Sequence, residues 1–192
     1  MMLLPRDTRF PLVNSFSLVI FGVACLITVT PSTHAAEPQW KAGVARAIIT
    51  PEKPVWLAGY GTKRAPDGQL HDLWMKALAL EDTAGHRVVL ITSDFQGIPK
   101  VMSDPVFAQL EKKYQLQRQH VMFTFSHNHC GPRLGDDLVD YYPVDEDQVK
   151  LIEEYTAEMI DRTVEMVGDA PGTLAPANLA QGAGNTPLPF HR

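Results

Sequence analysis

The chain has 192 residues, of which 45% are hydrophobic and 20% are charged. This balance excludes an intrinsically disordered protein, and the length predicts one globular domain. A net charge of −5 and the lack of a basic cluster are not typical of a nucleic-acid-binding protein, so no nucleic-acid partner is expected.

The N-terminal segment has the pattern of a secretory signal peptide. Two arginines precede an uncharged apolar run at residues 16–29, and small residues follow at Ala35 and Ala36. The apolar run is shorter than the roughly 20 residues of a membrane span, although an uncleaved anchor is the alternative. We therefore predict that residues 1–36 are removed by cleavage after Ala35 or Ala36, and that the protein is secreted or periplasmic.

The two cysteines fit this interpretation. Cys25 lies within the apolar run and would be removed with it. Cys130 would then be the only cysteine of the mature chain, so no intrachain disulfide is expected.

Three strands are predicted in the first half of the remaining chain. Residues 41–49 alternate small and apolar side chains. Residues 73–81 and 87–93 are two apolar runs joined by a turn that contains Gly85, which predicts a β-hairpin. The run at 87–93 is nearly continuous and rich in β-branched residues, as in a strand that is buried on both faces.

A strand–helix–strand unit is predicted next. Ser103 has the position of a helix N-cap, with Pro105 in the first turn. Residues 120–125 give the strongest strand pattern, and they should lie parallel to the strand before the helix. A second helix is predicted at 145–167, with a capping-box spacing at its start and an acidic face that we interpret as solvated rather than metal-binding.

Two histidines, His127 and His129, follow the last predicted strand. In an extended backbone, side chains two residues apart lie on the same face, so both imidazoles are expected to point at one site. Imidazole is a common zinc ligand, which predicts a metal or catalytic role. Two polar residues in a surface turn are the alternative.

A third candidate comes from the neighbouring strand. Asp94 directly follows the strand at 87–93, and ligands collect at the carboxyl ends of parallel strands in open α/β sheets. Asp94 is therefore predicted to orient an imidazole or to bind metal, and capping the next turn is the alternative. The segment 59–61, Gly-Tyr-Gly, either lets backbone approach a ligand or forms an ordinary tight turn.

Five segments, in this order and spacing, resemble the N-terminal part of the neutral/alkaline non-lysosomal ceramidase family. The resemblance extends over about residues 41–181. It implies an α/β fold with a mixed β-sheet, a βαβ unit and flanking helices, as an incomplete N-terminal portion of a larger catalytic domain. We assign residues 37–181 to this domain and 182–192 to an irregular tail. The segments are AGVARAIITP (42–51), LAGYG (57–61), HDLWMKALAL (71–80), ITSD (91–94) and SHNHCGP (126–132).

The resemblance also implies a function. Members of the family are zinc amidases that hydrolyse the amide of ceramide or a related lipid amide. The resemblance therefore implies a lipid substrate and contact with a membrane surface. Their usual motif is His-Thr-His-Ser-Gly-Pro. Matched to it, His127 is the implied zinc ligand and His129 the implied active-site residue, whereas Asn128 and Cys130 depart from the pattern.

The family's remaining zinc ligands are a further His, a Glu and a Tyr, all downstream, and here His191 is the only later histidine. Catalytic zinc normally has three protein ligands. Two other hypotheses therefore stand beside the amidase: an inactive, truncated fragment of such an enzyme, or a metal-dependent hydrolase that uses Asp94, His127 and His129 on an ester or phosphoester. The sequence does not indicate an oligomeric state.

Overall fold

A computed structural model describes residues 39–60, 64–135 and 145–185. The predicted signal peptide, its cleavage site and His191 lie outside the described residues. Within these ranges, none of the helices combines the length and the apolar character that crossing a membrane requires.

Five strands form one mixed sheet in the order β4-β3-β2-β1-β5. β1 pairs antiparallel with β2 and β5, and β2 pairs antiparallel with β3, which confirms the predicted hairpin. β3 and β4 are parallel and α1 connects them, which confirms the βαβ unit. The strands are β1 Trp40–Ile48, β2 Trp74–Asp82, β3 Arg87–Ser93, β4 Val121–Phe125 and β5 Ala175–Ala177.

The hairpin turn is stabilised by an aspartate. The carboxylate of Asp82 accepts hydrogen bonds from the backbone N–H groups of Ala84 and His86, at 2.9 and 2.8 Å. Gly85 takes a φ of +84°, a left-handed conformation that suits glycine.

Two long helices follow the predicted order, but the start of the first was predicted wrongly. α1 extends over Lys100–Tyr114 and α2 over Glu146–Asp169. Ser103 is not the N-cap of α1, because its own N–H already donates to the carbonyl of Pro99, at 2.9 Å. Pro105 consequently lies inside the helix. At α2 the prediction is confirmed: the side chain of the N-cap, Asp145, accepts the N–H of Gln148.

The core lies on one face of the sheet. Both helices contribute to a single hydrophobic cluster with the inward residues of β2 and β3. The prediction that β3 is buried on both faces is wrong, because Val89 is 1% exposed and its neighbour Val88 is 45% exposed. On the outer face, strand register places four apolar side chains in one row: Val44, Leu78, Leu90 and Met122.

Candidate active site

The loops that follow β3 and β4 lie side by side at the carboxyl edge of the sheet. The N–H of Ser126 donates to the carbonyl of Ser93 at 2.9 Å, and the N–H of Asn128 donates to the carbonyl of Phe95 at 3.3 Å. The parallel pairing of the two strands thus continues into the loops that carry Asp94 and the histidines, as the topology predicts.

The imidazoles of His127 and His129 face each other. Their Nε2 atoms are 3.1 Å apart, and the ring centroids are 4.7 Å apart with an interplanar angle of 70°. The predicted route to this arrangement is wrong, however. β4 ends at Phe125, and His127 has a φ of +59°, so the segment is a turn and not an extended strand. Histidine is among the residues that tolerate this left-handed backbone.

His127 is held by the loop that follows β3. Its Nδ1 lies 2.8 Å from the carbonyl oxygen of Gln96. A carbonyl oxygen can only accept, so Nδ1 carries the hydrogen and the neutral ring keeps a lone pair on Nε2. Histidines that bind metal usually have this arrangement, in which a carbonyl group fixes the ring from behind. His127 Nε2 therefore fits the role of a zinc ligand.

The described residues contain no complete metal site. Among residues 39–60, 64–135 and 145–185, no group of three or more His, Cys, Asp or Glu side chains could hold a metal ion. His127 and His129 can offer at most two of the three protein ligands that catalytic zinc normally has.

Gly59 and Tyr60 lie against the His129 ring. Gly59 has a φ of +85°, and a Cβ built at this position would be 2.5 Å from Cγ of His129. The ring of Tyr60 contacts the imidazole edge to face, with centroids 4.8 Å apart. The glycine of this segment therefore allows close approach to the His129 side chain, whereas the sequence pattern indicated approach to a ligand or an ordinary tight turn.

The close approach of Gly59 to the His129 ring depends on pairing between two segments that are distant in the sequence. Leu57 and Pro132 form an isolated antiparallel bridge, and the N–H of Ala58 donates to the carbonyl of Gly131 at 2.8 Å. Nothing in the sequence spacing indicates this pairing, since it joins loops and not strands.

Arg64 also supports the histidine turn, and sequence reasoning missed it. Its Nη1 donates to the carbonyl of His129 at 2.8 Å, and its guanidinium lies over the Tyr60 ring, 4.9 Å from the centroid. Its Nη2 is 3.8 Å from Sγ of Cys130, which is a free and exposed cysteine. Arg64 thus holds the backbone of the turn and the ring that covers His129.

Asp94 makes structural contacts at the edge of the sheet. Its Oδ2 accepts the N–H of Trp74 at 2.9 Å, and its Oδ1 accepts the hydroxyl of Ser126 at 3.5 Å. These contacts join the start of β2 to the loop after β4, and neither is with an imidazole. A catalytic role for Asp94 stays a prediction.

A cavity of about 610 Å³ lies beside the histidine turn. Asn128 and Cys130, which alternate with the two histidines, contribute to its wall, together with apolar residues such as Leu57 and Leu73. The volume is in the range of cavities that take small molecules. The two imidazoles themselves do not contribute to the cavity wall.

Neither a protein-family model nor a curated protein sequence matches the chain. Solved structures do match. A neutral ceramidase from Pseudomonas aeruginosa has a TM-score of 0.58 at 25% sequence identity, and a ceramidase complexed with C2 has a TM-score of 0.60 at 24% identity. Each comparison covers 73% of this chain but only 22% of the ceramidase chain. The described part of the chain therefore has the mixed α/β fold of part of a neutral ceramidase, which confirms the resemblance seen in the sequence.

Proposed function

We propose that this chain supplies the N-terminal part of a zinc-dependent amidohydrolase site of the neutral ceramidase type. His127 binds the metal and His129 acts on the substrate. The observation that carries the proposal is the facing pair of imidazoles, 3.1 Å apart at Nε2, at the edge of a ceramidase-like sheet.

The proposed substrate is the N-acyl amide of ceramide or of a related lipid amide. Two observations support this choice: the structural similarity to ceramidases, and a cavity of about 610 Å³ beside the histidine turn with apolar residues in its wall. A lipid substrate also favours contact with a membrane surface, and the signal-peptide pattern at the N-terminus supports secretion or export to the periplasm.

The chemistry follows from the positions of the side chains. Bound zinc would lower the pKa of a water ligand to about 7 and polarise the amide carbonyl. The carbonyl of Gln96 keeps His127 Nε2 directed at the site. His129, braced by Gly59 and Tyr60, stabilises the oxyanion or passes a proton to the leaving amine. A catalytic zinc ion would need further protein ligands, because three are normally present.

One observation favours a second candidate. Because the described residues contain no group of three metal-binding side chains, an inactive fragment of such an enzyme is the alternative to a working hydrolase. The two differ in whether the chain alone binds zinc and turns over an amide.

The test measures zinc content and hydrolysis of a fluorogenic N-acyl amide by the full chain. His127→Ala is compared with His86→Ala, which removes an exposed imidazole in the β2–β3 turn. Loss of zinc and hydrolysis in His127→Ala alone supports the proposal. A wild-type chain that neither binds zinc nor hydrolyses the amide supports the inactive fragment, and equal zinc binding by His127→Ala contradicts the proposed ligand.

A further inference from the structure

We infer that Gln96 holds the two imidazoles in opposite tautomers, with its main-chain carbonyl on His127 and its side-chain amide on His129. The two rings are hydrogen-bonded to each other, and among the described residues only Gln96 is hydrogen-bonded to both of them. Gln96 is thereby a positioning residue for the site.

The first step concerns His127. Its Nδ1 donates to the carbonyl oxygen of Gln96 at 2.8 Å, so Nε2 of the neutral ring has the lone pair. This atom can then only accept from the neighbouring imidazole.

The second step concerns His129. Its Nε2 lies 3.1 Å from that lone pair, and a second lone pair at this distance would repel it. His129 Nε2 must therefore carry the hydrogen, which leaves the lone pair of this ring on Nδ1. The two neutral rings are in opposite tautomers.

The third step concerns the side chain of Gln96. Its Nε2 lies 3.4 Å from His129 Nε2, which places two hydrogen donors opposite each other. Its Oε1 is buried and has no hydrogen-bond partner within the described ranges. Half a turn of the carboxamide exchanges its oxygen and nitrogen at almost unchanged shape. Oε1 then accepts the hydrogen of His129 Nε2, which removes the contact between two donors, and Nε2 takes the buried position that Oε1 held.

The consequence for catalysis rests on the proposed function. His127 alone presents a lone pair to a cation, and His129 presents an N–H group. If a cation takes the His127 lone pair, Oε1 of Gln96 is the acceptor that still orients the His129 ring. His129 is then a hydrogen-bond donor beside the metal and not a second ligand.

The test is ring ¹⁵N NMR of the full chain, free of metal, at mildly alkaline pH. Signals are assigned from His127→Ala and His129→Ala. We expect Nδ1–H for His127 and Nε2–H for His129. In the His127→Ala background, Gln96 Oε1 is the remaining acceptor for His129 Nε2, so adding Gln96→Leu should shift the His129 signals toward a mixture of tautomers. In the wild-type background, Gln96→Leu should leave His127 unchanged, because its acceptor is main-chain.

Gln96→Glu is the conservative variant, since it keeps an acceptor, and it should retain the Nε2–H form of His129. Gln119→Leu, which removes an exposed amide bonded to Gln117, is the matched control and should change neither ring. Both rings in the same tautomer in the wild type or in Gln96→Glu would overturn the inference, as would an unchanged His129 when Gln96→Leu is added to His127→Ala. A chain that fails to bind zinc but shows opposite tautomers would refute the proposed function and leave this inference standing.

Discussion

Gly59 lies so close to His129 that a single methyl group cannot be placed between them. The Cβ position at residue 59 is 2.5 Å from Cγ of the imidazole, well inside van der Waals contact. The backbone at Gly59 thus forms one side of the space that the His129 ring occupies.

Gly59→Ala should therefore destabilise the fold and displace the His129 ring. Gly85→Ala is the matched control, because Gly85 has nearly the same φ, +84° against +85°, but nothing within 4 Å of its Cβ position. In both variants, the left-handed backbone should lower the free energy of unfolding by roughly 1–2 kcal/mol. Gly59→Ala should lose about 1–3 kcal/mol more through overpacking. Urea unfolding measures both values, and equal losses would show that the close approach is absent.

The one-sided sheet gives a second prediction. Val89 is 1% exposed on the inner face of β3, and its neighbour Val88 is 45% exposed on the outer face. Val89→Ala should cost about 2 kcal/mol through lost burial and the cavity left behind. Val88→Ala should stay within about 0.5 kcal/mol of the wild type. Chemical denaturation of the two variants checks this, and similar costs would mean that a further layer covers the outer face.

Tyr155 gives a prediction at alkaline pH. It is 4% exposed on α2, and its hydroxyl donates to the carbonyl of Ile49. Burial raises its pKa well above the ordinary value. A raised pKa in the folded state means that the stabilising term is complete below the unfolded pKa of about 10 and is lost as the pH rises above it.

The free energy of unfolding should consequently fall above about pH 10, with a contribution from Tyr155 of up to about 1.4 kcal/mol per pH unit. Tyr155→Phe should remove that contribution at a cost of roughly 1–3 kcal/mol at neutral pH, since the carbonyl of Ile49 loses its donor. Unfolding curves between pH 8 and about 11.5 test this. An unchanged pH slope in the variant would assign the alkaline loss to other groups.

Glu81 gives the corresponding prediction at acid pH. Hydrogen bonds from Arg87 and then Lys41 hold the pKa of its carboxyl below the ordinary value. A lowered pKa in the folded state stabilises the protein above the unfolded pKa of about 4.3, and this stabilisation is lost as the pH falls toward the folded value. Glu81→Gln should therefore flatten the acid side of the stability profile. Glu165→Gln, on the exposed side of α2, should not, and equal effects would contradict the assignment.

The sheet and its parallel crossover could be predicted from the sequence because their signals are local. The apolar runs and the turn at Asp82–His86 specify the hairpin, and the capping aspartate Asp145 specifies the start of α2. The start of α1 could not be predicted in this way. Ser103 and Pro105 have an N-cap pattern, but the helix had already begun after Pro99.

The candidate site was predictable only in outline. The spacing of His127 and His129 predicted that their imidazoles converge, and they do. The backbone that brings them together is left-handed, which no periodicity indicates. The contacts of Gly59 and Gln96 with these rings depend on loops that meet only after the sheet has formed, so they have no local signal.

The left-handed backbone at His127 ties the chemistry of this position to the shape of the loop. Few residues besides glycine accept such a backbone, chiefly asparagine, aspartate and histidine. Asparagine or glycine at this position should therefore keep the turn while removing the imidazole. A β-branched residue should also destabilise the turn, by about 1–2 kcal/mol.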